Sequence, residues 1–163
     1  MPTIIDQLVD QLRRSTEGGA WHGPSVREAL DGVTATGAAT RTIAGAHTIW
    51  EIVLHLRGSY ELVLRRLDGN DAPLTPTEDW PAPHTSSVDQ WDSDVASLFD
   101  CNRRIREAVT QFPVARLFEP LIANPPYSAF TQFIGLTQHD LYHAGQIILL
   151  KRAERAGVKA TPS

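Results

Sequence analysis

His139 and His143 stand four residues apart in the stretch SAFTQFIGLTQHDLYHAGQIILLKRAERAG, so on a helix they point the same way, about 6 Å apart along the axis. Two imidazoles so placed can converge on one cation at metal–nitrogen distances of about 2.0–2.1 Å. Gln132 and Gln146 fall on the same longitudinal stripe, with Leu136 and Leu150 in register. Two ligands from one helix do not complete a site. The third candidate is His55, in the middle of another segment, on the edge of its apolar face beside Ile52, Leu56 and Ser59. Three neutral imidazoles leave an open coordination position, as in catalytic rather than structural metal sites. Histidines that only hydrogen-bond within a core would show the same spacing, so the pattern alone leaves both readings open.

Other residues compete for roles. His47, Glu51 and His55 are also four apart, which allows an alternative ligand set using Glu51 or His47. Equally, His47 can be a helix-terminal residue, and Glu51 suits the positive end of the helix dipole. The run His139-Asp140-Leu141-Tyr142-His143 is similar to the HExxH pattern of zinc proteases with Asp in place of Glu. Asp140 is then either a support for a ligating histidine or a solvated residue. Gln146 is placed to hydrogen-bond beside a metal, or to satisfy a backbone group. Gly145 costs a helix about 1 kcal/mol relative to Ala, so close helix approach or room for a ligand is expected there. Trp21 and His22 in the WHGPS loop, with Trp50, are candidates for the mouth of a pocket; packing and turn roles compete with this. Cys101, the single cysteine, reads as a small buried residue rather than a nucleophile.

The elements that must position these residues are helical. Ile4, Ile5, Leu8, Val9 and Leu12 predict a first helix over about 2–16, with Thr3 as its N-cap and Gly18-Gly19 after it. Residues 20–46 are rich in Gly, Ala and Thr and hold one short helical pattern, around 25–30. A second helix begins near Thr48 and closes at Asp68-Gly69. Four prolines then predict a loop without regular structure over 70–86, carrying Trp80 and His84; loops this long are commonly functional or mobile. A third helix is expected over about 88–111, broken by Pro113, and a fourth over about 129–156, ending at Gly157. Strand alternation is absent, so the fold class is all-α: one four-helix bundle over 1–157 with a short tail, 158–163. The long connections leave room for crossovers.

Composition narrows the function classes. The 163 residues carry 15 Lys+Arg against 19 Asp+Glu, a net charge of -4, which argues against a nucleic-acid partner. One cysteine excludes an intrachain disulfide or a Cys-based zinc ribbon. No apolar run approaches the ~18 residues of a membrane span, and the amino terminus lacks the charge order of a secretory signal, so a cytoplasmic protein with no membrane partner is expected.

HTIWEIVLHLRGSYELVLRRLDG and QHDLYHAGQIILLKR together resemble the DinB/YfiT-like superfamily of metal-binding four-helix bundles, and AWHGPSVREAL is similar to the opening loop of one branch. The resemblance covers about residues 1–157. It implies an up-down-down-up bundle, commonly a homodimer, with His55, His139 and His143 binding one divalent metal, zinc or nickel. It points away from proteolysis. Members include thiol S-transferases and isomerases that use a low-molecular-weight thiol, which implies a small-molecule substrate and a role in detoxification or stress response. A metal-assisted hydrolase and a non-catalytic binding bundle are the alternatives.

Overall fold

A computed structural model describes residues 1–85 and 87–159. Among the described residues seven helices follow one another: α1 (Ile4–Glu17), α2 (Val26–Leu30), α3 (Ala35–Ala39), α4 (Ile49–Leu67), α5 (Pro76–Asp79), α6 (Val88–Thr110) and α7 (Ala129–Lys159). A 3-10 turn spans Val114–Arg116, and an isolated bridge pairs Pro120 with Ser128. The fold is all-α. Among the described residues no helix is long and apolar enough to cross a membrane.

Four of these starts carry the same local code. Thr3, Ser25, Thr48 and Thr75 each accept from the backbone N–H three residues on, and Asp6, Glu28, Glu51 and Glu78 return a carboxylate to the cap's own N–H. Each such box satisfies two backbone donors that the helix leaves unpaired, for about 1 kcal/mol.

The long helices α1, α4, α6 and α7 form the bundle. Both α1 and α4 pack on α6 and on α7, so α1 and α4 lie across one diagonal. Trp50 meets Asp94 and Tyr60 meets Asn102, so α4 and α6 run the same way. Arg66 meets Gln132, Tyr60 meets Asp140 and His55 meets His139, so α7 runs against α4. Leu12, Leu56, Leu98, Ile105, Phe133 and Ile147 fill the interior with no solvent exposure.

Three expectations about the elements need correction. Residues 20–46 hold two short helices rather than one, because Thr34 caps α3 by accepting from the Gly37 N–H. The 70–85 segment is not free of regular structure: α5 forms where Thr75 caps, Pro76 takes the first helical turn and Glu78 closes the box. Proline is at home in a first turn, where its missing N–H costs nothing. Ser86, the end of that expected loop, lies outside the described residues. Finally, α7 does not stop at Gly157 but continues to Lys159, so the proposed tail begins inside the helix, and 160–163 lie outside the described residues.

Gly58 explains how α5 sits against α4. A Cβ there would lie 3.2 Å from the Glu78 carbonyl oxygen, so the missing side chain lets the α5 backbone approach. Gly145 has no such role: nothing lies within 4 Å of its would-be Cβ, so of the two expectations there close helix approach is not made, while the space beside it is open.

Candidate metal centre

His55 comes from the middle of α4, His139 and His143 from successive turns of α7. Because α7 crosses α4 antiparallel, the three rings meet in the same layer of the bundle. One ligand atom from each lies within 4.8 Å of the others. His139 Nε2 is 2.9 Å from His55 Nε2 and 2.9 Å from His143 Nε2. Nitrogens at tetrahedral zinc distances would stand about 3.3 Å apart, so each of the two contacts at His139 would open by a few tenths of an ångström around a cation.

The ring protons settle what these nitrogens offer. His55 Nδ1–H donates to the Asp79 carbonyl at 2.6 Å, with the Asp79 carboxylate 3.2 Å away. His143 Nδ1–H donates to Gln146 Oε1 at 2.6 Å. In the tautomer that each of these bonds selects, Nδ1 carries the proton and Nε2 turns a bare lone pair toward His139. His139 has at most one Nε2 proton and faces two acceptors. The cluster is therefore one proton short, an arrangement that could hold a metal ion. The backbone carbonyl and the glutamine oxygen are the outer partners that fix ring orientation in metal-binding histidines.

Burial keeps the two α7 rings neutral. His139 is held down to about 3 and His143 to about 4, burial being the main cause in each and the neighbouring imidazoles adding to it. Neutral imidazole is the form that ligates, so both are ready to do so at pH 7.

Trp80 roofs the cluster. Its indole lies parallel to the His55 ring at 3.8 Å and to the His47 ring at 3.6 Å. Two rings this close to one indole cannot share a face without overlapping, so Trp80 is sandwiched between the two histidines. A cavity of about 500 Å³ opens beside it. His55, His139, His143 and Gln146 line it, together with His47, Trp80, Tyr142 and the aliphatic Ile43, Ala46, Ile52, Leu149 and Leu150.

The remaining candidates are placed elsewhere. Glu51 is engaged by the Thr48 cap and by Arg41 at 2.8 Å, which spends the carboxylate that an alternative ligand set needed. His47 precedes that cap, and its Nδ1 lies 3.4 Å from Glu51. Trp50 is not at a pocket mouth: it is wholly buried, its indole N–H donates to Asp94 at 2.9 Å, and its ring meets Trp91 edge-on. Trp21 and His22 do not line the cavity; Trp21 is 94% exposed.

Asp140 is neither a support for a ligand nor solvated. It is 1% exposed and accepts from Ser15 at 2.6 Å, Thr16 at 3.1 Å and Tyr60 at 2.6 Å. One residue of helix turns it about 100° from His139, into the contact with α1. Cys101 is buried, its thiol pushed up chiefly by burial, and its sulfur is 3.9 Å from Glu61, so thiolate chemistry is disfavoured there.

Sequence reasoning missed Trp80 and Tyr142. Trp80 had a legible signal, since Thr-Pro-Thr-Glu-Asp ahead of it is a capped first turn that fixes the tryptophan. Tyr142 had none, because its place at the rim depends on how α7 packs.

The sequence model of the DinB superfamily matches residues 20–147, most of the chain. No curated protein and no solved structure matches. The chain belongs to the DinB superfamily.

Proposed function

We propose that this member of the DinB superfamily is a divalent-metal-dependent enzyme in which His55, His139 and His143 hold zinc or nickel. The carrying observation is the convergence of three Nε2 atoms with two Nδ1 protons already committed to Asp79 and Gln146. When bound, the cation would acidify a thiol or water entering its open position.

Thiol S-transfer to a small electrophile, in detoxification or stress response, is the reaction we favour. In it the sulfur forms a bond to the electrophilic carbon, the leaving group departs with its electron pair, and the thiol proton passes to solvent. The protein's part is to keep His139 and His143 neutral by burial, to orient His55 and His143, and to shelter the reacting atoms beneath Trp80. A homodimer is the quaternary state this reading carries, tested by sedimentation.

The cavity lining argues against the hydrolytic alternative. Among the described residues no carboxylate lines the cavity: Asp140 is turned into the core and Glu51 is occupied by its cap. A carboxylate to take the proton of an attacking water is missing, so hydrolysis would depend on metal-bound hydroxide alone. A binding protein without turnover would share the cluster and show no conjugation.

Elemental analysis of untagged protein tests the proposal. Close to one equivalent of zinc or nickel per chain is expected, lost in His143→Ala together with thiol conjugation. Conjugation that survives in metal-free protein would overturn it.

A further inference from the structure

Taking the three-histidine reading as its premise, we infer that the cavity selects an uncharged ligand with an apolar body, and that a thiol co-substrate used here carries no carboxylate. The argument rests on what the walls offer. Among the described residues, neither Lys nor Arg lines the cavity. Arg41, which reaches the carbonyl of the lining residue Ala46, is neutralised by Glu51 at 2.8 Å. Lys151, next to Leu150 in sequence, is turned to the carbonyls of Ala29 and Asp31. Behind the His55 ring the Asp79 carboxylate adds negative charge. An anionic group leaving water for this space would meet no fixed cation except a metal already committed to the donor atom.

The rim gives the positive half of the argument. Ile43, Tyr142 and Leu149 border the cavity and are 44%, 64% and 60% exposed. Large apolar side chains left in water around a concave site gain from being covered by an apolar ligand. A volume near 500 Å³ suits a small organic molecule. Both faces of Trp80 are already taken by His47 and His55, so the ligand meets the edge of the indole and the aliphatic wall rather than stacking on it. The polar side chains on the lining are Gln146, the histidine cluster, His47 and the Tyr142 hydroxyl, none of them a fixed cation when the imidazoles are neutral. A molecule with one donor atom at the histidine cluster and a neutral, apolar remainder matches this lining.

Titration of the cobalt(II)-loaded protein with phenylmethanethiol and with 3-sulfanylpropanoate separates the possibilities, read by calorimetry and by the sulfur-to-cobalt absorption. The neutral thiol is expected to bind about tenfold tighter or more. Equal binding, or tighter binding of the carboxylate, overturns the inference. Leu149→Arg puts a cation on an exposed rim position where folding is not at risk, and should narrow the gap by strengthening the carboxylate alone; no change would count against the inference. The same calorimetry on metal-free protein, with toluene and propanoate as probes, keeps the two readings apart. Failure to load cobalt with toluene still preferred sinks the metal reading and upholds the cavity's selectivity. Cobalt loading with no preference does the reverse. Exclusion of both phenyl probes because a second copy of the chain covers the rim also overturns the inference.

Discussion

Two polar clusters share one stretch of α7, one residue apart, and their hydrogen bonding differs in kind. Around Asp140 the chain supplies the donors: Ser15, Thr16 and Tyr60 all aim hydroxyls at one carboxylate, and Asn102 in turn donates to Thr16 at 2.8 Å. Around His139 acceptors outnumber protons, and the space beyond them is an open cavity rather than packed side chains. A buried polar group whose partners are all supplied by the chain has a structural task. One whose lone pairs face each other is waiting for something from outside.

Paired substitutions should split the two roles. His139→Ala is expected to abolish metal binding, and with it the roughly 4 kcal/mol of stabilisation that metal at a thousandfold its Kd confers. Its metal-free stability should move little. Asp140→Ala should cost about 3 kcal/mol in denaturant unfolding, because three donors lose their acceptor, yet retain stoichiometric metal. Loss of metal in the Asp140 variant while it remains folded would erase the distinction.

The clusters also pull stability in opposite directions with pH. His139 and His143 are lowered to about 4 or below from an unfolded value near 6.5, so the unfolded chain takes up protons first and metal-free stability falls as pH drops from about 6.5 toward 4. Asp140 is raised by burial to about 6, so its contribution is present below about 4 and is lost as pH rises through 6. The two slopes partly cancel. Asp140→Asn removes one of them, so its thermal stability should fall more steeply on acidification than the wild type. Superimposable profiles for the two proteins would show that Asp140 does not titrate in this range.

The sequence was informative where a feature repeats locally and silent where it depends on distant partners. Helical spacing of Ile5, Leu8 and Leu12, or of Ile52, Leu56 and Tyr60, predicts the long helices because burial selects one face. His139 and His143 are legible as a pair for the same reason. Nothing near Asp140 in sequence announces Ser15, which lies 125 residues away, so its burial could not be read. Trp50 illustrates the converse: its spacing allowed a pocket or a core, and only Asp94 on α6 decides between them. The prolines of 73–83 hid α5, although the Thr75, Pro76 and Glu78 signature was present.

Trp80→Leu measures how much the roof matters to the cluster below it. Leucine keeps an apolar cover but loses the parallel contact with His55 at 3.8 Å, leaving that ring freer to turn about its bond to Asp79. Metal affinity should weaken about tenfold, the usual scale for an outer partner of a ligand, with stoichiometry intact. Unchanged affinity in competition with a chelator would reduce Trp80 to a wall of the cavity.

Gly58→Ala should produce the smallest effect and tests the same linkage from behind. Alanine favours a helix by roughly 1 kcal/mol over glycine, so α4 itself gains. The new methyl, however, would meet the Glu78 carbonyl at 3.2 Å, and that backbone must retreat by a few tenths of an ångström. The retreat draws on Asp79 and Trp80, the next two residues, whose carbonyl and indole hold His55. The helix gain and the displaced contact oppose each other in stability, so unfolding midpoints should change little. At the metal they do not oppose: only the displacement reaches His55, and affinity should fall by a few-fold. A variant that gains the full helix stabilisation with undiminished metal affinity would mean that α5 can shift without moving the residues that orient His55.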